Sequence, residues 1–107
     1  MEIAVLASGN GSNFQAIIDA SVRGELPNAN IKLLIVNVKG AYAIERAKKH
    51  NIPYYLIESK NKERNKFDLE ILNTLKENRI DIVVLAGFMR ILSPHFVKEY
   101  RNKIINI

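Results

Sequence analysis

Ser8-Gly9-Asn10-Gly11-Ser12-Asn13, all small or polar, separate an apolar run, Ile3 to Ala7, from a segment in which Phe14, Ile17 and Ile18 recur at helical spacing. A glycine turn at a helix N-terminus leaves backbone N–H groups without intrahelical partners, in the positive end of the helix field. The N–H groups of Gly11, Ser12 and Asn13, with the Ser12 hydroxyl, could therefore surround one phosphate. Ser12 or Asn13 could instead do no more than cap the helix. A dinucleotide fingerprint asks for G-x-G-x-x-G and an acid about 20 residues further on. Gly9 and Gly11 fill the first two positions, but Phe14 stands at the third, and the end of the next apolar run carries Asn37 and Lys39. A nicotinamide-dependent oxidoreductase is thus disfavoured, and the absence of Gly-Lys-Ser/Thr excludes a P-loop. A monophosphate suits the loop better than a pyrophosphate.

A second stretch, Ala86-Gly-Phe-Met-Arg-Ile-Leu-Ser-Pro94, puts Phe88, Met89, Ile91 and Leu92 in what should be a polar loop, with Arg90 among them. Such residues either pack into the core or offer a surface to a flat ligand. Two of the four, Phe88 and Ile91, are expected to pack. An apolar slot with one arginine suits an aromatic heterocycle bearing carboxylates. Of the two histidines, His50 falls at the C-terminus of an expected helix, where it complements the dipole, and His95 lies in the first turn of another. Neither is placed for catalysis. Asn106, taken alone, is an ordinary polar residue.

The elements that must position these residues alternate along the chain. Ile3 to Ala7, Leu33 to Val36, Tyr54 to Ile57, Ile82 to Ala86 and Ile104 to Ile107 read as short strands, apolar on both faces like parallel strands covered by helices. Asn13 to Arg23, Ala41 to His50, Lys62 to Asn78 and Pro94 to Tyr100 read as helices; Phe67, Ile71 and Leu75 repeat every four residues, and Ser93 before Pro94 is an N-cap followed by proline. The alternation predicts one α/β domain with right-handed crossovers, a doubly wound, Rossmann-like, mostly parallel sheet. Strand order 3-2-1-4 with the fifth strand beside the fourth is expected, ligands binding at the carboxyl ends of strands 1 and 4. That order brings both loops to one crevice and places Asn106 beside Gly87.

Composition excludes other classes. The chain has 107 residues, 48% hydrophobic, and no cysteine, which rules out disulfides, thiolate chemistry and Cys-based zinc sites. No apolar run approaches the ~20 residues of a membrane span, and no signal segment precedes the first strand, so a cytoplasmic location is expected. The formal charge of +5 is dispersed over mixed-sign helices such as Lys60-Asn-Lys-Glu-Arg-Asn-Lys-Phe-Asp-Leu-Glu70, which reads as a solvated surface rather than a nucleic-acid interface. No metal site is expected.

Together, SGNGSNFQAIIDA, VVLAGFMRILSP and the closing IINI resemble the N-terminal half of the glycinamide ribonucleotide formyltransferase family, over Met1 to Ile107 without gaps. Related folate formyl donors and deformylases share the second motif but not the glycine loop. The resemblance implies a formyltransferase-type fold, strand order 3-2-1-4-5, and formyl transfer from 10-formyltetrahydrofolate to the amine of glycinamide ribonucleotide in purine biosynthesis. It implies that Gly11, Ser12 and Asn13 hold the substrate phosphate, and that Arg64, Met89, Arg90, Ile91, Leu92 and Asn106 line the folate site. Asn106 would also be the catalytic carboxamide that stabilises the tetrahedral oxyanion. The family continues into a His-Pro-Ser run and a later aspartate, so residues 1–107 are expected to form the N-terminal, phosphate-binding part of a single formyltransferase domain. That part alone is expected to be inactive, with its fifth strand and one apolar sheet face uncovered and a homodimer among the consequences. The alternative is a non-catalytic phosphate- or nucleotide-binding module.

Overall fold

The computed structural model describes residues 1–107. Nine elements alternate: β1 (Glu2–Ala7), α1 (Ser12–Val22), β2 (Asn30–Val36), α2 (Ala43–Lys49), β3 (Tyr54–Leu56), α3 (Arg64–Glu77), β4 (Ile82–Leu85), α4 (Pro94–Glu99) and β5 (Ile104–Asn106). All pairings are parallel and the order is β3-β2-β1-β4-β5, the doubly wound arrangement expected from the alternation. No helix is long and apolar enough to cross a membrane.

Burial follows the strand period of two. Ala4 and Leu6 of β1, Leu33 and Ile35 of β2 and Val83 of β4 form one core with Phe67, Ile71, Leu72 and Leu75 of α3 and with Phe96 and Tyr100 of the α4 segment. The alternate residues, Ile3, Val5, Ala7, Leu34, Val36 and Val84, form the other with Phe14 and Ile18 of α1 and Ala43 and Ala47 of α2. Helices α1 and α2 therefore cover one face and α3 and α4 the other. The chain must change direction between β1 and β4, which opens the crevice of such folds.

Several boundaries depart from the sequence pattern. β2 begins at Asn30, paired with Glu2, because the backbone ladder continues through polar residues that hide the strand. α2 begins at Ala43 rather than Ala41, since a turn with Ala41 N–H donating to the Val38 carbonyl at 3.3 Å precedes it. α3 begins at Arg64, after Glu63 in extended conformation. The edge strands are not buried on both faces: Tyr54, Tyr55 and Leu56 of β3 and Ile105 of β5 are exposed. Uncovered apolar surface at β5 is limited to Ile105 and, just after it, Ile107; the sheet inside it is roofed on both faces. Asn106 pairs with Leu85, two residues before Gly87, because the ladder sets Val83 opposite Ile104 and Val84 opposite Ile105.

α4 is short and held at both ends. Ser93 caps it, its Oγ accepting from Phe96 N–H at 3.3 Å, and Ser93 N–H donates to the buried Asp68 carboxylate. At the other end the Tyr100 ring stacks on Phe96 at 5.9 Å and its hydroxyl donates to the Ile80 carbonyl at 3.2 Å. Burial, then the charges of Asp81 and Glu99, push the Tyr100 phenol above its ordinary value of 10.0. The folded state thus holds this proton more firmly than the unfolded chain does. Its contribution is intact below the ordinary phenol pKa and is lost as pH rises through the raised one. Urea unfolding should show stability falling above about pH 10, less steeply in Tyr100→Phe, which at pH 7 should itself cost about 0.5–1.5 kcal/mol.

Candidate functional site

The glycine loop is shaped by one close approach. Gly11 is the N-cap of α1 in left-handed conformation, φ 80° and ψ 23°, and no side chain caps the helix. A Cβ on Gly11 would stand 2.8 Å from Ala43 Cβ and 2.9 Å from Ala43 Cα. Only glycine supplies both that φ and that clearance. Gly9 has open space around its Cα, and its carbonyl accepts from Ala43 N–H at 3.2 Å. Ser12 and Asn13 are exposed and do not cap α1. The N–H groups of Gly11, Ser12 and Asn13 have no protein acceptor, so the donors of the first turn face open space. Phe14, where a dinucleotide loop has its third glycine, is fully buried between α1 and the sheet.

Arg46 of α2 braces this loop, and the sequence carried no clear signal for it. Its Nε donates to the Asn10 carbonyl at 2.9 Å, its Nη2 to Asn10 Oδ1 at 2.6 Å and its Nη1 to Gln15 Oε1 at 3.3 Å. The guanidinium carbon also lies 5.0 Å from the Tyr42 ring centroid. A fixed positive charge therefore sits against the glycine loop, reinforcing the helix field.

The loop after β4 divides its apolar residues differently from expectation. Phe88 stacks on Phe67 at 6.4 Å and Leu92 packs against the same core, whereas Ile91 is 75% and Met89 83% exposed. The packed pair is Phe88 and Leu92, not Phe88 and Ile91, because Leu92 precedes the α4 cap and is drawn under it. Arg90 turns inward: Nη1 donates to the Ser59 carbonyl at 3.2 Å, Nη2 to the Lys62 carbonyl at 3.0 Å, and the guanidinium lies over Phe67 at 5.0 Å. In this arrangement it ties the loop to the segment before α3.

Gly11, Ser12, Asn13 and Met89 line one cleft of about 330 Å³ together with Ser8, Gly9, Asn10, Val38, Ala86 and Gly87. Arg64, Arg90, Ile91, Leu92 and Asn106 are not in its lining. Arg64 is exposed at the start of α3. Asn106 is exposed at the carboxyl end of β5, the end from which the glycine and β4 loops also leave the sheet. His50 is the C-cap of α2, 3.3 Å from Gln15 Nε2, and His95 is exposed, 3.8 Å from Glu99.

Gly11→Ala should destabilise the chain by about 2–4 kcal/mol, combining left-handed strain with overpacking against Ala43. Gly9→Ala should cost less than about 1 kcal/mol. Urea denaturation of the two variants, with equal effects overturning the assignment, checks the close approach.

Comparison with known proteins places this geometry. The chain is 43% identical over 108 residues to the phosphoribosylglycinamide formyltransferase of Escherichia coli (strain K12), covering 100% of this chain and 50% of that protein. It is 47% identical over 109 residues to the trifunctional purine biosynthetic protein adenosine-3 of Drosophila pseudoobscura pseudoobscura, covering 98% of this chain and 8% of that protein. It superimposes on the crystal structure of glycinamide ribonucleotide transformylase 1 from Geobacillus kaustophilus with a TM-score of 0.92 at 44% identity, covering 98% of this chain and 56% of that one. The chain spans about half the length of the bacterial relatives it matches. The family described as formyl transferase matches residues 1–107, every residue of the chain. With that match over its whole length and a fold that superimposes on its solved relatives, the chain belongs to the formyl transferase family.

Proposed function

We propose that the chain is the N-terminal, phosphate-binding part of a single phosphoribosylglycinamide formyltransferase domain. The reaction is formyl transfer from 10-formyltetrahydrofolate to the amine of glycinamide ribonucleotide. The observation that carries this is the glycine loop: Gly11, Ser12 and Asn13, with their unpaired N–H groups and the Ser12 hydroxyl, line a cleft that continues to Met89, and Arg46 braces the loop from α2. A monophosphate matches that donor set, and the identity to proteins named as phosphoribosylglycinamide formyltransferases supports the same substrate.

On this reading the phosphate anchors the ribonucleotide at α1 and directs its amine toward the β4–β5 side. The exposed apolar Met89 and Ile91 give the pterin a surface, with Leu92 and Arg90 holding the loop that presents them and Arg64 near its outer end. The amine nitrogen attacks the formyl carbon, the carbonyl electrons move to oxygen, and the carboxamide of Asn106 donates to that oxyanion. As the tetrahedral species collapses, the bond from carbon to the folate nitrogen breaks and the amine proton ends on that nitrogen. Binding energy from the remote phosphate positions the amine. A homodimer belongs to the same proposal.

Two outcomes test the reading. Titration calorimetry should give measurable affinity for glycinamide ribonucleotide and almost none for its dephosphorylated riboside, with Ser12→Ala weakening the former about tenfold, as loss of a hydrogen bond to a charged group requires. Equal affinity for the two ligands would refute phosphate anchoring. Formyl transfer, read in this chain joined to the second half of the Escherichia coli relative, should fall about 10²- to 10³-fold in kcat in Asn106→Ala with little change in KM. Full activity without that side chain would remove the oxyanion role, and binding without transfer in the joined protein would favour a binding module.

A further inference from the structure

Asn37 stands at the end of β2, where a dinucleotide fold would carry a ribose-binding acid, yet it is only 3% exposed and all its polar atoms are directed inward. Three loops meet on it. Its Oδ1 accepts from Ser8 Oγ at 2.6 Å, and that oxygen in turn accepts from Met89 N–H at 2.6 Å. Its Nδ2 donates to Ser59 Oγ at 3.1 Å, its carbonyl accepts from Ser59 N–H at 3.2 Å, and the Ser59 carbonyl accepts from Arg90 Nη1. Met89 N–H donates to the Ser8 oxygen, which passes its own proton to Asn37 Oδ1, and in this orientation the amide presents oxygen to Ser8 and nitrogen to Ser59. The Ser8–Asn37 bond at the centre of this chain is buried, so a rotation that breaks it leaves a desolvated group unpaired.

We infer that Asn37 is a positioning residue that fixes the phosphate-side loop, from Ser8, against the β4 loop, at Met89 and Arg90. It thereby couples occupation of the first to the placement of the second. The coupling rests on the phosphate reading of the glycine loop; the positioning does not. Asn37 touches neither candidate ligand surface, and its effect is transmitted through the Ser8 hydroxyl.

Amide exchange and phosphate titration on the ¹⁵N-labelled chain test this. Asn37→Ala and Ser8→Ala should each speed exchange of the Met89 amide about fivefold to tenfold, and the double variant no more than either alone. Asn37→Asp should return it to within about threefold of the wild-type rate, because a carboxylate oxygen also accepts the Ser8 proton. The Val5 and Val84 amides inside the sheet should not change. Equal acceleration of Val5, Val84 and Met89 would reduce Asn37 to fold stability, and unchanged Met89 exchange in Asn37→Ala would mean that Ser8 is set without it; either overturns the inference. Should Asn37→Ala not fold, Ser59→Ala at the outer end of the chain replaces it, with about twofold to fivefold acceleration at Met89 expected and no acceleration overturning the inference. With inorganic phosphate, the Ser12 and Met89 resonances should move together in the wild type and Ser12 alone in Asn37→Ala. A responding Ser12 with a silent Met89 in the wild type refutes the coupling, whereas a silent Ser12 refutes the phosphate reading and leaves exchange to decide the role of Asn37.

Discussion

Ala4, Val5, Leu6 and Ala7 of β1 have no solvent exposure. A strand with apolar residues in both registers and water on neither side must have a layer on each face, and in a parallel sheet those layers are the crossover helices. The chain covers the first face while moving outward through β2 and β3, then has to return past β1 to cover the second. Burial of the central strand thus forces the reversal between β1 and β4. The crevice between the loops that leave them is a product of core formation, made before any ligand is considered.

What distinguishes the two sides of that crevice is how backbone polar groups are satisfied. Buried donors and acceptors are almost always paired, and on the wall of the crevice the buried Ser8 hydroxyl is: it donates to Asn37 Oδ1 and accepts from Met89 N–H. In front of it, the first N–H groups of α1 are left to solvent, because Gly11 takes the N-cap position and has no side chain to turn back on them. A serine or aspartate there would pair one donor internally, and could not in any case approach Ala43 so closely. The left-handed glycine therefore costs helix stability and keeps the donor set available, a local conflict of the kind that marks functional positions.

Much of this could be read from residues alone, for identifiable reasons. The alternation of apolar runs with helical periods fixed the sheet order, since right-handed crossovers leave few other solutions. Strand edges were less legible: β2 continues through Asn30 and Lys32, whose side chains suggest a loop although their backbones pair, and β3 and β5 look buried because tyrosine, leucine and isoleucine do not announce an edge position. In the candidate site the glycine loop was legible because glycine types report backbone geometry. Arg46 and Asn37 were not, because each acts across more than 25 residues, with |i−j| of 36 to Asn10 and 29 to Ser8, and nothing local in a surface-type arginine or a strand-end asparagine reveals its partner. The choice of Ile91 over Leu92 as a core residue failed for a similar reason: in a loop without a period, only the fixed α4 cap decides which apolar side chain turns inward.

The same local chemistry bears on why the third glycine is absent. In a dinucleotide loop that glycine lets the helix lie close on the strand, so that two phosphates can sit against its terminus. Here Phe14 fills the space with a fully buried ring, packing α1 against the core that also holds Val36 and Ala43. The loop is consequently supported from below by an aromatic side chain and from the side by the Ala43 contact and the three bonds of Arg46. A loop braced on two sides loses little entropy on binding, but it also cannot widen. Phe14 and Arg46 thus hold the loop and α1 in place without entering the cleft that Gly11, Ser12 and Asn13 line.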